Sequence, residues 1–258
     1  MKDFTLTAYE KYLRAIKSSY ENILRFEEYF LAQPNPEKFC LIRHDVDRKP
    51  KNALRMAKLE SEMGIKTTYY FRAKSHTFIP EIITEIAGLG HEIGYHYECL
   101  SDTNGDMSLA LKDFGHNLEE FRKIVPIKTI SMHGRPLKAY DNRDMWRVKD
   151  NHNMLFGKYG ILGEVYLDID YTEIAYINDT GRNWTSAEFN KRDKVISDIE
   201  VDFGNGGKLL EFLNSPPHPK MVFQIHPERW EQNYAFWIKQ FIKDVIINIA
   251  KCIIVKFC

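Results

Sequence analysis

Apolar residues follow two alternating rhythms along this chain, one strand-like and the other of helical period. From position 39 an apolar run reads as a buried strand and stops abruptly in His44, Asp45 and Asp47. Pro50 then opens a helix that turns Ala53, Met56, Ala57, Leu59 and Met63 inward and closes at Gly64. β-Branched and aromatic residues over 67–72 predict a second strand. A helix from Pro80 through Ile82, Ile83, Ile86 and Leu89 ends at Gly90, and 91–96 predicts a third strand. Helix 107–123 and strand 128–133 follow. Strict strand–helix alternation with short connections predicts an α/β fold, a parallel sheet or barrel with right-handed crossovers.

The flanks and the middle are less regular. Residues 7–32 predict a helical preface, with Tyr12, Leu13, Ile16, Tyr20, Ile23 and Leu24 near helical spacing, broken by the prolines of 33–37. Between 134 and 205 the pattern predicts an active-side loop at 134–136 and 140–144 and strands at 164–170 and 173–178. A polar loop at 179–184 and a short helix at 208–213 lead to an apolar strand at 221–226. The last stretch, 234–258, is amphipathic: Lys239, Lys243, Lys251 and Lys256 punctuate Trp237, Phe241, Ile246, Ile249 and Ile253. Its apolar runs are too interrupted for a span of roughly 20 residues. A helix across the barrel floor is the reading preferred, and a membrane-surface helix is the alternative. The expected organisation is an N-terminal helical extension (1–37), one β/α barrel (38–230) and a C-terminal helix packed on it (231–258).

Bulk properties narrow the function classes. The 258 residues carry 36 basic and 36 acidic side chains, so no net charge draws the chain to nucleic acid. Cys40, Cys99, Cys252 and Cys258 are scattered with no CxxC or zinc-ribbon spacing, and they read as buried or free thiols in a reducing compartment. The first residues lack the apolar segment of a secretory signal, which predicts a cytoplasmic protein and makes the sequons at Asn178 and Asn183 incidental.

Candidate chemistry concentrates at strand ends. Asp45 and Asp47 are two apart, so they project to one side of the strand and His44 to the other. Two carboxylates so placed repel unless a cation or a shared proton intervenes. That reads as a metal ligand beside a general base; a polar strand end with a helix-capping Asp is the structural alternative. Three other strand ends carry histidine: His96 before Tyr97 and Glu98, His133 before Gly134, and His226 before Pro227. In a β/α architecture these ends converge on one pocket at the C-terminal face of the sheet.

On these segments, together with Leu89 to Glu98, Ser131 to Pro136, Tyr140 to Asp144, Asp179 to Trp184 and Ile225 to Trp230, the chain resembles the polysaccharide deacetylase family (carbohydrate esterase family 4). It is most similar to the intracellular branch associated with surface-polysaccharide genes, and the resemblance runs from Lys38 to Trp230. The resemblance implies an irregular (β/α) barrel that hydrolyses an acetamide on an N-acetylated sugar with a divalent metal, usually zinc. Asp45 falls at the family's catalytic base, Asp47 at a metal carboxylate, His96 at the first histidine of the metal pair, and His226 at the acid that protonates the leaving amine. The second histidine of that pair is replaced by Leu100. A third ligand must come from His133, preferred because Gly134 permits close backbone approach, or from Glu98, which gives a site less committed to zinc. Arg135 lies near the family's base-orienting arginine. Tyr97, Tyr140 and Trp184 are expected to stack on a sugar, with Asp179 and Arg182 holding its hydroxyls. A cytoplasmic location favours a nucleotide- or lipid-linked sugar precursor. Two other readings stay open: hydrolysis of a non-sugar amide on the same barrel, and a non-catalytic carbohydrate-binding protein that has lost its metal with the second histidine.

Overall fold

The computed structural model describes residues 2–135, 138–182, 184, 192 and 194–257, the side chains of 247 and 249–257 excepted. Pro136, Asn183, Cys258 and the Cys252 side chain fall outside it. Strand β2 (Phe39–Val46) is buried along its whole length and forms the hub of a parallel sheet. One side of it pairs with β8 (Lys220–Ile225). The other side pairs with β1 (Ile23–Leu24) at Cys40 and Leu41 and with β3 (Thr68–Phe71) from Arg43 onward. Beyond β3 lie β4 (Glu92–Tyr97), β5 (Thr129–Met132) and β6 (Gly163–Glu164); beyond β8 lies β7 (Ala175–Asn178).

Parallel neighbours require a crossover between them. These are α3 (Pro50–Glu62), α4 (Pro80–Gly88), α5 (Cys99–Asp102) with α6 (Met107–Arg122), α7 (Asp144–Arg147) with α8 (Lys149–Gly157), and α9 (Gly206–Asn214). Pro50 and Pro80 each sit in the first turn of their helix, where the missing N–H is not needed. Gly64 and Gly90, at φ +69 and +93, take the left-handed turns that end those helices.

Among the described residues no ladder joins β6 to β7, and side chains close that gap. Val165, Ile169 and Tyr171, which follow β6, pack with Tyr176 of β7, Val222 of β8, and Phe39, Leu41 and Tyr70 in one buried cluster. The sheet is therefore curled into the expected irregular (β/α) barrel, with its opening filled by packing. Alternation sends the other face of β2, including Cys40 and Ile42, outward against helix α1 (Leu6–Ser19) and its neighbours. Inside the barrel a Cβ on Gly94 would collide with the Tyr70 ring, so this position of β4 accepts only glycine.

Three expectations about elements change. The preface is not one helix: α1 ends where Tyr20 turns extended, β1 joins the sheet beside β2, and α2 (Phe26–Leu31) follows. Pairing of β1 covers the part of the β2 edge that β3 leaves open. The strand expected at 164–170 stops at Glu164. There the Glu164 carboxylate accepts the Met132 and Tyr166 N–H groups at 2.9 and 2.8 Å, and its carbonyl accepts those of Leu167 and Asp168 at 3.1 and 2.9 Å, which turns the chain. Helix α10 (Tyr234–Phe257) lies not on the barrel floor but against the turns Thr180–Arg182 and Pro227–Arg229, which follow β7 and β8. Asp244 joins the helix to the first of these turns through a 2.7 Å ion pair with Arg182. No helix among the described residues is long and apolar enough to cross a membrane.

Candidate active site

Alternation along β2 turns Arg43 and Asp45 into the barrel and His44 out of it. The Arg43 guanidinium, wholly buried, forks onto Asp45, with Nε donating to Oδ1 at 2.9 Å and Nη2 to Oδ2 at 2.7 Å. Gln224 of β8 donates a third hydrogen bond to Oδ2 at 2.6 Å. Burial alone would raise the Asp45 pKa, but Arg43, helped by His96, outweighs it and holds the carboxyl below its usual range. Asp45 is thus ionised, fixed in orientation and 99% hidden, with Oδ2 3.7 Å from His96 Nε2. Arg135, expected near this role, instead pairs with Glu98 and with Asp102, the latter at 3.0 Å. Arg43 and Gln224 were missed in the sequence, although Arg43 stands two residues before Asp45 and so on the same face.

One residue past the strand, Asp47 meets His96 of β4 and His133 just beyond β5. His133 Nδ1 and His96 Nε2 lie 3.0 and 3.4 Å from Asp47 Oδ1, and 3.3 Å from each other. These are the three groups that converge as a possible cation site among the described residues. Ligand atoms around a tetrahedral zinc stand about 3.3 Å apart, given bonds of roughly 2.0–2.1 Å. Two further details fit. Asp47 Oδ1 is buried and faces only the two imidazole nitrogens of the trio among the described residues. His96 Nδ1 lies 3.0 Å from the Ser131 carbonyl, which orients the ring so that Nε2 offers its lone pair to the trio. Burial raises the Asp47 pKa, yet His133 and then His96 hold it well below the carboxylate range. Two imidazoles and one carboxylate suit a divalent transition metal. Glu98 is not in this set, because Arg72 and Arg135 occupy its oxygens. Leu100, at the position of the family's second histidine, is buried in the apolar core.

At the adjoining ends of β7 and β8, Asp179 and His226 form a second pair. Asp179 Oδ1 is 2.6 Å from His226 Nδ1, and Oδ2 accepts the His226 backbone N–H at 3.0 Å and Trp230 Nε1–H at 2.9 Å. Burial would lower the His226 pKa, but the Asp179 carboxylate outweighs it and pushes the imidazole up to about 9. His226 is therefore an imidazolium at neutral pH. Asp179, expected to hold sugar hydroxyls, is consumed in orienting this histidine.

Most of the expected sugar contacts lie elsewhere. Tyr97 is buried against Phe114 and Trp146, and Trp184 against Phe4, Tyr12, Phe223 and Trp230. Arg182 is tied to Asp244 and to the Arg229 carbonyl. Of the three aromatics, Tyr140 is the exposed one, at 39%, with its ring over Gly105.

No protein-family model and no curated protein matches the chain. Among solved structures, a Streptococcus mutans CE4 esterase aligns over 92% of this chain and 90% of its own, at 12% identity and a TM-score of 0.47. The catalytic domain of a peptidoglycan N-acetylglucosamine deacetylase from Eubacterium rectale aligns over 88% of each chain, at 12% identity and 0.45. A CE4 family pseudoenzyme from Bacillus anthracis aligns over 81% of this chain, which spans 62% of that one, at 11% identity and 0.43. The chain is similar to these proteins in fold, distantly enough that its chemistry has to be read from its own side chains.

Proposed function

We propose that the protein is a metal-dependent deacetylase of the polysaccharide deacetylase type, hydrolysing the acetamide of an N-acetylated sugar to acetate and the free amine. The reading rests on one arrangement: an ionised, clamped carboxylate beside an Asp47–His96–His133 trio of zinc-like dimensions, with a protonated histidine at the end of the neighbouring strand β8, near enough to feel the Asp47 charge. Asp47, His96 and His133 would hold a divalent metal, which would supply Lewis-acid polarisation of the acyl oxygen and of the attacking water. Asp45, unprotonated beside the trio, takes the proton of that water as it attacks, and Arg43 with Gln224 keeps the carboxylate aimed. His226, protonated and held by Asp179, delivers a proton to the departing nitrogen as the C–N bond breaks. One group starts without a proton and the other with one, which is what amide hydrolysis near neutral pH requires. The motifs shared with the family support a sugar substrate, and a nucleotide- or lipid-linked precursor in glycan biosynthesis is the class proposed.

Elemental analysis of wild type beside Asp47→Ala and His96→Ala tests the metal. One equivalent of a divalent transition metal, lost in both variants, is expected. Acetate release from N-acetylated sugar nucleotides is then expected to fall by about 10²–10⁴-fold in Asp45→Asn with metal content unchanged. A wild-type protein that takes up no transition metal sinks the mechanism. A loaded protein that binds acetylated sugars and releases no acetate favours a binding role instead.

A further inference from the structure

We propose that the outward face of α10 is a docking surface for an anionic lipid membrane. The helix is held to the protein by one stripe. Asp244 pairs with Arg182 at 2.7 Å, Gln240 Nε2 donates to Asp244 at 3.0 Å, and Asn248 Nδ2 donates to the Gly181 carbonyl at 2.8 Å. Trp237 Nε1 donates to the Asp3 carbonyl at 2.8 Å. Positions 237, 240, 244 and 248 recur every three or four residues, so they share one side of the helix. Away from it, Ile242, Val245 and Ile246 are 52, 39 and 61% exposed, and Phe236 is 57% exposed. A contiguous run of large aliphatic side chains on one exposed helix face calls for a covering surface.

Charge identifies that surface. Lys239 and Lys243 are exposed within a turn of Ile242 and Ile246. Residues 234–258 hold four lysines and a single aspartate. That aspartate, Asp244, is turned inward and neutralised by Arg182. The outward face among the described residues therefore combines aliphatics and ammonium groups with no carboxylate. Such a face suits a helix lying in the plane of an anionic bilayer: side chains such as Ile242 enter the acyl boundary while lysine stems reach up to the phosphates. A second copy meeting this face would set lysines against lysines. Because α10 rests on the turns after β7 and β8, docking brings the sheet edge that carries His226 to the lipid surface. The inference concerns where the protein sits and stands independently of deacetylation.

The full chain is sedimented with vesicles of phosphatidylcholine alone or mixed with phosphatidylglycerol. Binding to the anionic vesicles, weakened by salt, is expected. Ile242→Glu with Ile246→Glu should weaken it at least about tenfold without change in circular dichroism or melting. Lys239→Glu with Lys243→Glu, which leaves the aliphatic stripe intact, should abolish the preference for anionic over neutral lipid. The proposal is overturned by no sedimentation with either vesicle, or by binding undiminished in both double variants. A concentration-dependent dimer that dissolves in the isoleucine variant would overturn it too, since a second copy would then be the cover.

Discussion

His226 is buried, a setting that normally strips an imidazole of its proton, and yet it is pushed up to about 9 because Asp179 lies 2.6 Å from its Nδ1. A general acid must be protonated to act, so the rate of acetate release is expected to fall as pH rises through about 9. Asp179→Asn removes the charge that raises the pKa and leaves the burial that lowers it. In that variant the alkaline fall should move down, to or below the ordinary histidine value of about 6.5. A profile of kcat/KM against pH for both proteins decides this, and an unshifted fall would remove His226 from the role. The same raised pKa stabilises the fold, fully below about 6.5 and progressively less as pH rises through about 9. In the sequence, His226 was legible as a strand-end histidine, but its partner was not. Asp179 and His226 are joined only because β7 and β8 are neighbours, and no local spacing announces that pairing. Arg43 was legible in principle, since residues two apart on a strand share a face.

On the scale of elements, the outward side of β2 is as organised as the inward side. His44 leaves the strand opposite Asp45 and meets Glu60 of α3, its Nε2 2.7 Å from Oε1. Tyr9 also donates to Oε1, while Thr67 Oγ1 and Tyr69 OH donate to Oε2 at 2.8 and 2.7 Å. Alternation predicted the direction of His44, and Glu60 carried its own signal. It falls three residues after Ala57 and four after Met56, on the buried stripe of α3, where a charged residue needs partners. Burial raises its pKa, but His44 and the other partners outweigh that and bring it down to about 2. A depressed carboxylate stabilises the fold above its unfolded pKa of about 4.3, and that contribution is lost as pH falls towards 2; the gap is worth roughly 3 kcal/mol. Glu60→Gln is therefore expected to lower stability at pH 7 by about that amount. Denaturant titrations should show the difference from wild type narrowing from pH 4.5 to pH 3. A difference independent of pH would mean that packing, not ionisation, holds the strand. One element read otherwise was 164–170, whose alternation suits a strand as well as it suits the turn that the Glu164 carboxylate builds.

Across the whole molecule, alternation of strand and helix made the barrel legible, because each unit is written locally. The placement of the two ends was not legible, since it depends on contacts between distant parts of the chain. Phe4 stacks on Trp184 with ring centroids 5.2 Å apart, the Glu231 N–H donates to the Phe4 carbonyl at 3.0 Å, and Trp237 reaches the Asp3 carbonyl. An amphipathic stripe says that α10 packs on something without saying on which end of the barrel. The Arg182–Asp244 pair ties it to the turn after β7, with both side chains 6% exposed. A buried pair is weak as a net source of stability but costly to break on one side. Asp244→Ala, which strands Arg182 without its partner, is expected to lose about 3–5 kcal/mol. Replacing both, as Arg182→Met with Asp244→Leu, should lie within about 1–2 kcal/mol of wild type, because no charge is then left unpaired. Urea denaturation of Arg182→Met alone, Asp244→Leu alone and the double closes the cycle. Strong non-additivity would establish this pair as the bond that fixes α10 at the active edge. Additive losses would mean that Trp237, Asn248 and the surrounding packing hold the helix there, and that the ion pair merely follows.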